Sequence, residues 1–204
     1  MSASELAPGV TLIRGFVSAE ALRILSLIRD TSKISPFRRL MTPGGRYMSV
    51  EMTNCGSCGW VSDSRGYRYE SLDPMTGKPW PSLPDWLSEL ARESGRRARF
   101  PEFEPDVCLI NKYAIGSSMG MHRDADERDF SKPIVSFSLG LPIRFRVGGR
   151  ARTGKTLGID LAHGDVLVLG GAARRAFHGV GKLGVGCHPI TGDLRFNLTF
   201  RQAL

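Results

Sequence analysis

From Asp106 to its C-terminus the chain alternates short apolar and β-branched runs with glycine and proline turns, and this texture limits the fold more than anything else in it. Residues 107–113, 134–141, 143–147, 156–159, 165–169 and 195–202 read as strands, each bounded by turn formers such as Gly116, Pro142, Gly148-Gly149, Gly164-Asp165 and Gly170-Gly171. Many short strands punctuated in this way predict a β sandwich or barrel. No internal repeat competes with that reading.

The first hundred residues add the flanking parts. Residues 18–28 read as a helix, with Ser18 as its cap and Leu22, Leu25 and Ile28 as its apolar face. A second helix is predicted over 83–97, with Ser82 and Asp85 at capping spacing, a stripe of Trp86, Leu87, Leu90 and Ala91, and Gly95 as an early stop. Between them, residues 42–81 are rich in Gly, Ser and Pro yet carry Tyr47, Met48, Met52, Trp60, Tyr67, Tyr69 and Trp80. Short strands with a glycine turn at Gly66 fit this segment, and its aromatics face either the core or a ligand. At 204 residues, all of this suits a single domain.

Charge and cysteines bear on partners and compartment. There are 28 Lys and Arg against 20 Asp and Glu, a net charge of +8. Such an excess favours a polyanionic partner. Arg92, Arg96, Arg97 and Arg99 form one cluster, and Arg144, Arg146, Arg150, Arg152 and Lys155 another; each is read equally as a solvated face. Cys55, Cys58, Cys108 and Cys187 have no disulfide-framework spacing. Cys55 and Cys58 make a lone C-x-x-C with no second ligand pair, read as reduced loop cysteines. No apolar run approaches the ~20 residues that span a bilayer. Residues 1–15 lack a basic start and a continuous apolar stretch, so the expected setting is the cytoplasm, without a membrane.

The chemistry concentrates in two motifs. In His122-Arg123-Asp124 an extended backbone puts His122 and Asp124 on one side and Arg123 on the other. With His178, in a strand-like segment, they supply two imidazoles and a carboxylate, the ligand set of a non-haem Fe(II) site with open positions. In residues 195–201, Arg195, Asn197, Thr199 and Arg201 alternate with Phe196, Leu198 and Phe200. The bland account is an edge strand with one wet face. The sharper one is a pocket for a dicarboxylate, whose two ends suit guanidinium forks, with Asn111 and Tyr113 adding donors.

These motifs and their surroundings closely resemble the AlkB-type dealkylating dioxygenases. The likeness is carried by residues 108–113, by His122-Arg123-Asp124-Ala125-Asp126-Glu127, by residues 133–142, by His163-Gly164-Asp165-Val166 and by residues 195–202. It extends upstream through residues 52–56, Gly59-Trp60, Gly66-Tyr67 and Asp73-Pro74. Cys58 is not part of that pattern.

The resemblance implies a double-stranded β-helix, or jelly roll, mostly β with flanking helices and an N-terminal nucleotide-recognition lid at 42–81. It implies Fe(II) on His122, Asp124 and His178. It places the distal carboxylate of 2-oxoglutarate at Arg195, Asn197 and Tyr113, and the nearer one at Arg201 and Asn111. It implies a flipped base held by Met52, Trp60 and Tyr67, with Asp126 reading the base and Arg152 on the substrate side. The implied reaction uses Fe(II), 2-oxoglutarate and O2 to demethylate bases of the 1-methyladenine and 3-methylcytosine type, releasing succinate, CO2 and formaldehyde. The expected partner is alkylated single-stranded DNA, with duplex DNA and RNA open, and the expected state is a monomer. A same-fold oxygenase acting on a protein or small molecule, and a non-catalytic nucleic-acid binding module, are the competing readings.

Overall fold

The computed structural model describes residues 2–204. In chain order its elements are β1 (Ala3–Ala7), β2 (Val10–Ile13), α1 (Ala21–Ile34), β3 (Arg38–Met41), β4 (Tyr47–Gly56), β5 (Gly59–Asp63), β6 (Gly66–Glu70), α2 (Asp85–Arg97), β7 (Val107–Tyr113), β8 (Met119–His122), β9 (Ile134–Gly140), β10 (Ile143–Val147), β11 (Leu157–Leu161), β12 (Val166–Leu169), β13 (His178–Val180) and β14 (Arg195–Arg201). Eight strands form one sheet in the order β1-β2-β12-β9-β14-β7-β4-β3, four form a second in the order β11-β10-β13-β8, and β5 pairs with β6 alone. The chain is thus mostly β, with the two-sheet architecture of a jelly roll.

Two apolar clusters hold the layers together. Ile24 and Ile28 of α1 and Leu87 and Ala91 of α2 pack with Ile110, Val135, Phe137, Leu198 and Phe200 on the outer face of the large sheet. On its inner face Met52, Leu109, Tyr113, Ile134, Leu167 and Leu169 pack with Ile143, Phe145, Ile159 and Leu161, which belong to the second sheet and its flanks. Strand β14 lies between β7 and β9, hydrogen-bonded on both sides. It is therefore no edge strand: its apolar face meets the helices and its polar face points between the sheets.

The helices depart from the sequence reading in instructive ways. The first helix begins at Ala21, with Glu20 as N-cap and no side-chain cap. Ser18 is kept in a turn because the Val17 N–H donates to the Gly164 carbonyl (3.0 Å) and the chain docks there. Its buried face is Ala21, Ile24, Ile28 and Thr31, while Leu22 is 70% exposed. Steps of three fall 60° short of a turn, so Leu22 and Ile28 do not share a face. The second helix is capped at Pro84 without a side-chain bond and runs through Gly95 to Arg97. Gly95 is a packing glycine: a Cβ would stand 3.2 Å from the Phe103 ring and the Phe100 carbonyl.

Three further findings qualify the sequence reading. The range 42–81 divides, because β4 pairs with β7 in the large sheet whereas β5 and β6 form a separate hairpin turning before Gly66. Cys55 lies in strand β4 rather than a loop; it and Cys58 are free and buried, and burial pushes the Cys58 thiol up to about 12. The arginines of α2 are neutralised: Arg92 and Arg96 pair with Glu89, Arg92 also with Glu104, and Arg96 and Arg97 with Glu93. That cluster is a solvated, self-compensated helix face.

Candidate active site

The metal-ligand set is assembled by strand pairing. His178 on β13 stands directly opposite His122 on β8, next to an irregularity in the pairing. Gly179 permits the approach, since a Cβ there would come within 2.9 Å of the Met119 carbonyl. Asp124 follows β8 by two residues. Its Oδ1 lies 3.6 Å from His122 Nε2 and 3.9 Å from His178 Nε2. Ligand atoms of the three residues lie within 4.8 Å of one another, and among the described residues this is the one cluster of His, Cys, Asp and Glu so arranged.

Backbone carbonyls orient both rings. His122 Nδ1 donates to the Gly120 carbonyl (2.9 Å) and His178 Nδ1 to the Ala176 carbonyl (3.1 Å). A carbonyl only accepts, so each Nδ1 carries hydrogen and each Nε2 is the ring atom left facing Asp124. Burial pushes His178 down to about 4, against the opposing pull of Asp124, so its ring is neutral at pH 7. Burial would raise the Asp124 carboxyl, but Arg201 and the two histidines hold it well below the usual carboxylate range. Two imidazoles and an ionised carboxylate fit Fe(II) with positions left for other reactants.

The wall contributed by β14 fits an anion. Arg195 is 2% exposed, and its donors reach only neutral acceptors, the Leu141 carbonyl (3.0 Å) and the Ser138 hydroxyl (2.7 Å). Burial pulls this guanidinium down to about 10, and a buried cation without a carboxylate is costly until an anion joins it. Tyr113 stands opposite Arg195 in the register, and burial pushes its phenol up to about 12, so it too remains a donor. Arg201 behaves differently. Its Nε and Nη2 bond to Asp124 Oδ2 (3.1 and 2.6 Å), and Nη1 is left without a partner. Asn111 bonds to Asn197 (3.2 Å) and leaves its Oδ1 unpartnered, whereas the Asn197 amide is committed to Ser136 and Phe137. A guanidinium without a carboxylate at one end of the strand, Arg195, and a single free guanidinium nitrogen at the other, Arg201 Nη1, form a cradle of the kind a dicarboxylate such as 2-oxoglutarate fills.

Every residue singled out from the sequence lines one cavity of about 580 Å³: the ligand set, Asn111, Tyr113, Arg195, Asn197 and Arg201, and also Met52, Trp60, Tyr67, Asp126 and Arg152. Trp60 and Tyr67 of the β5–β6 hairpin stack at 5.5 Å with their planes 12° apart. The Trp60 indole N–H donates to Asp126 (2.8 Å), and Met52 is buried on β4. Sequence reasoning missed Phe177 and Arg123. The Phe177 ring has the guanidiniums of Arg123 and Arg152 at 5.6 and 5.8 Å, and all three line the cavity. An extended strand would put Arg123 opposite the ligands, but β8 ends at His122 and Arg123 lies outside it. It also missed Glu127 and Arg174, buried and ion-paired at 3.0 Å, which no local pattern marks.

Comparison with known proteins agrees with this geometry. The family described as the 2OG-Fe(II) oxygenase superfamily matches residues 9–201, and the chain belongs to it. It is 47% identical to the alpha-ketoglutarate-dependent dioxygenase AlkB of Escherichia coli K12, over 97% of this chain and 92% of that one. It is 26% identical to the tRNA demethylase abh1 of Schizosaccharomyces pombe, over 87% of this chain and 69% of that one. Its fold matches the solved structure of OsALKBH1 with a TM-score of 0.87 and 29% identity, covering 98% and 99% of the two chains. The protein is thus an AlkB-type dioxygenase that uses Fe(II), 2-oxoglutarate and O2.

Proposed function

We propose that the protein demethylates N-alkylated bases of the 1-methyladenine and 3-methylcytosine type in single-stranded nucleic acid, DNA foremost and RNA as a second substrate, as a direct-reversal repair enzyme. The observation that carries this is the stacked Trp60–Tyr67 pair on the same cavity as the His122, Asp124 and His178 cluster. A planar, cationic base taken out of its stack needs an aromatic surface above it and a carboxylate at its edge. Trp60 and Tyr67 offer the first, Asp126 the second, and Met52 the floor. The names of the relatives, a dioxygenase and a tRNA demethylase, support the same class of substrate.

Each group in the cavity then has a task. His122, Asp124 and His178 hold iron; Arg195 and Tyr113, with Asn197 behind them, hold the far carboxylate of 2-oxoglutarate, and Arg201 Nη1 with the second Asn111 Nδ2 hydrogen the near one. Bound iron with 2-oxoglutarate and O2 supplies oxidation of the N-methyl group, which leaves as formaldehyde while 2-oxoglutarate becomes succinate and CO2. The protein excludes water, fixes the base, and keeps Asp124 ionised and His178 neutral. Residues 42–81 serve as the nucleotide-recognition lid. Arg152, with Arg123, meets phosphates at the mouth, and the exposed Arg146, Arg150 and Lys155 extend that charge. Among the described residues no helix is long and apolar enough to cross a membrane. The reading includes a cytoplasmic monomer.

The experiment is turnover of matched methylated and unmethylated DNA and RNA strands at stated salt, with formaldehyde and succinate measured together. Release of both from the methylated strands alone is expected. Succinate without formaldehyde on every strand, with product from a protein or small molecule, overturns the substrate assignment.

A further inference from the structure

The hairpin that roofs the cavity is tied to the loop carrying the carboxylate ligand at two points. One is the Trp60 bond to Asp126. The other is Tyr69, the register partner of Trp60 on β6, whose hydroxyl donates to Glu127 Oε1 at 2.7 Å. Glu127 belongs to a closed set of charges. Its Oε1 is 3.1 Å from Arg201 Nε, its Oε2 is 3.0 Å from Arg174 Nη2, and Arg201 Nη2 is 2.6 Å from Asp124 Oδ2. Two carboxylates and two guanidiniums thus cancel inside the fold, and the side chains of Glu127 and Arg174 are each 2% exposed. Arg174 is fixed further by its bond to the Lys132 carbonyl (2.8 Å). None of Tyr69, Glu127 and Arg174 lines the cavity.

Resting on the nucleic-acid reading above, we propose that Tyr69 is a positioning residue. Through Glu127 and Arg201 it locks the hairpin to Asp124, so that seating a base under Trp60 and Tyr67 and orienting the metal ligand are one event. The two ties are not equivalent. A base that engages Asp126 competes with the Trp60 indole for that carboxylate, so the first tie is weakened by the substrate itself. Tyr69–Glu127 lies behind the cavity and persists. It is a hydrogen bond to an ionised acceptor in a water-poor site, the stronger kind. A buried charge set held by several partners moves as a body, so displacing the Glu127 carboxylate shifts Arg201 and the oxygen of Asp124 that Arg201 grips. Misplacement on the ångström scale is enough to separate oxidant formation from attack on the substrate.

The test is Tyr69→Phe, which keeps the ring against Cys58, Val107 and Ala203 and removes only the hydroxyl. Succinate and formaldehyde are counted together on a methylated oligonucleotide, and hydrogen exchange of residues 59–70 is followed in the metal-free protein. The expected result is a succinate-to-formaldehyde ratio at least ~2-fold above wild type, with one iron still bound per chain. Exchange across the hairpin should rise by about 5-fold or more, the weight of one net hydrogen bond. A wild-type ratio together with wild-type hairpin exchange overturns the proposal. So does an equal loss of both products with the ratio preserved, which marks a merely structural role. Wild-type protein that releases no formaldehyde from the same strand sinks the nucleic-acid reading instead, and the exchange comparison still decides whether the tie exists.

Discussion

Two pairs of histidines face each other in this molecule at nearly the same separation, and only one has the makings of a metal site. The rings of His122 and His178 are 4.5 Å apart, those of His163 and His188 4.4 Å. In the first pair each Nδ1 donates to a carbonyl, which turns both Nε2 atoms toward Asp124. In the second the polarity is reversed: the Gly140 N–H donates to His163 Nδ1 (3.1 Å) and the Ile190 N–H to His188 Nδ1 (3.4 Å). Their hydrogens therefore sit on Nε2, and no carboxylate joins them in a ligand cluster. Proximity of imidazoles does not make a site. The backbone partner of Nδ1 and a third, anionic ligand do.

The largest effect that can break this contrast is on the carboxylate. Asp124→Ala should abolish iron binding and lower turnover by ~10³-fold or more, because an open three-ligand site loses its one anion. His163→Ala should retain one iron per chain by metal analysis. Equal iron loss in both variants would erase the distinction between the pairs.

Next in size is the anion wall, which His163 supports from behind through Gly140, the register partner of Arg195. Arg195→Met should raise the KM for 2-oxoglutarate by roughly 10- to 100-fold, the weight of a charge-assisted bond, while leaving iron stoichiometry intact. An unchanged KM would remove Arg195 from the co-substrate site.

Smaller still is the structural value of the second pair. His163→Ala deprives the Gly140 N–H of its acceptor and should cost about 1–2 kcal/mol in urea unfolding. The smallest effect is its pH dependence. Burial, reinforced by His188, holds His163 below its ordinary value. A lowered value means the unfolded chain binds the proton more readily, so this contribution is complete above about pH 6.5 and is lost as pH falls below it. His163→Gln, which does not titrate, should flatten that loss; a pH profile identical to wild type would rule out His163 as its source.

How far the sequence carried the reading follows from which signals are local. The alternation of residues 195–201 is local, and it yielded both a strand and its polar face, although only pairing with β7 and β9 shows that face to be interior. Spacing of His122 and Asp124 needed no more than an extended backbone. Strand β8, Met119–His122, was illegible because glycine and methionine carry little strand preference, and it exists through its pairing with β13. Strands β1 and β2 were passed over, though the run Val10-Thr11-Leu12-Ile13 was a usable signal. Glu127 and Arg174, forty-seven residues apart, could not be read at all, since a buried ion pair has no periodicity. The face of α2 came from spacing, while the true face of α1 emerged only where it docks.

The zipped arginines of α2 have a consequence for how a charged strand is held. A cation already matched by glutamate has little charge left to neutralise a phosphate, so Arg92, Arg96 and Arg97 release few of the counterions condensed on a polyphosphate when it docks. These pairs cancel within the net charge of +8, which already counts Glu89, Glu93 and Glu104, so the excess that grips nucleic acid lies elsewhere on the molecule. Binding should weaken with salt as a few bonds at the mouth dictate, at about −0.7 in the logarithm per phosphate engaged on a single strand, and the helix should behave as an electrically quiet wall.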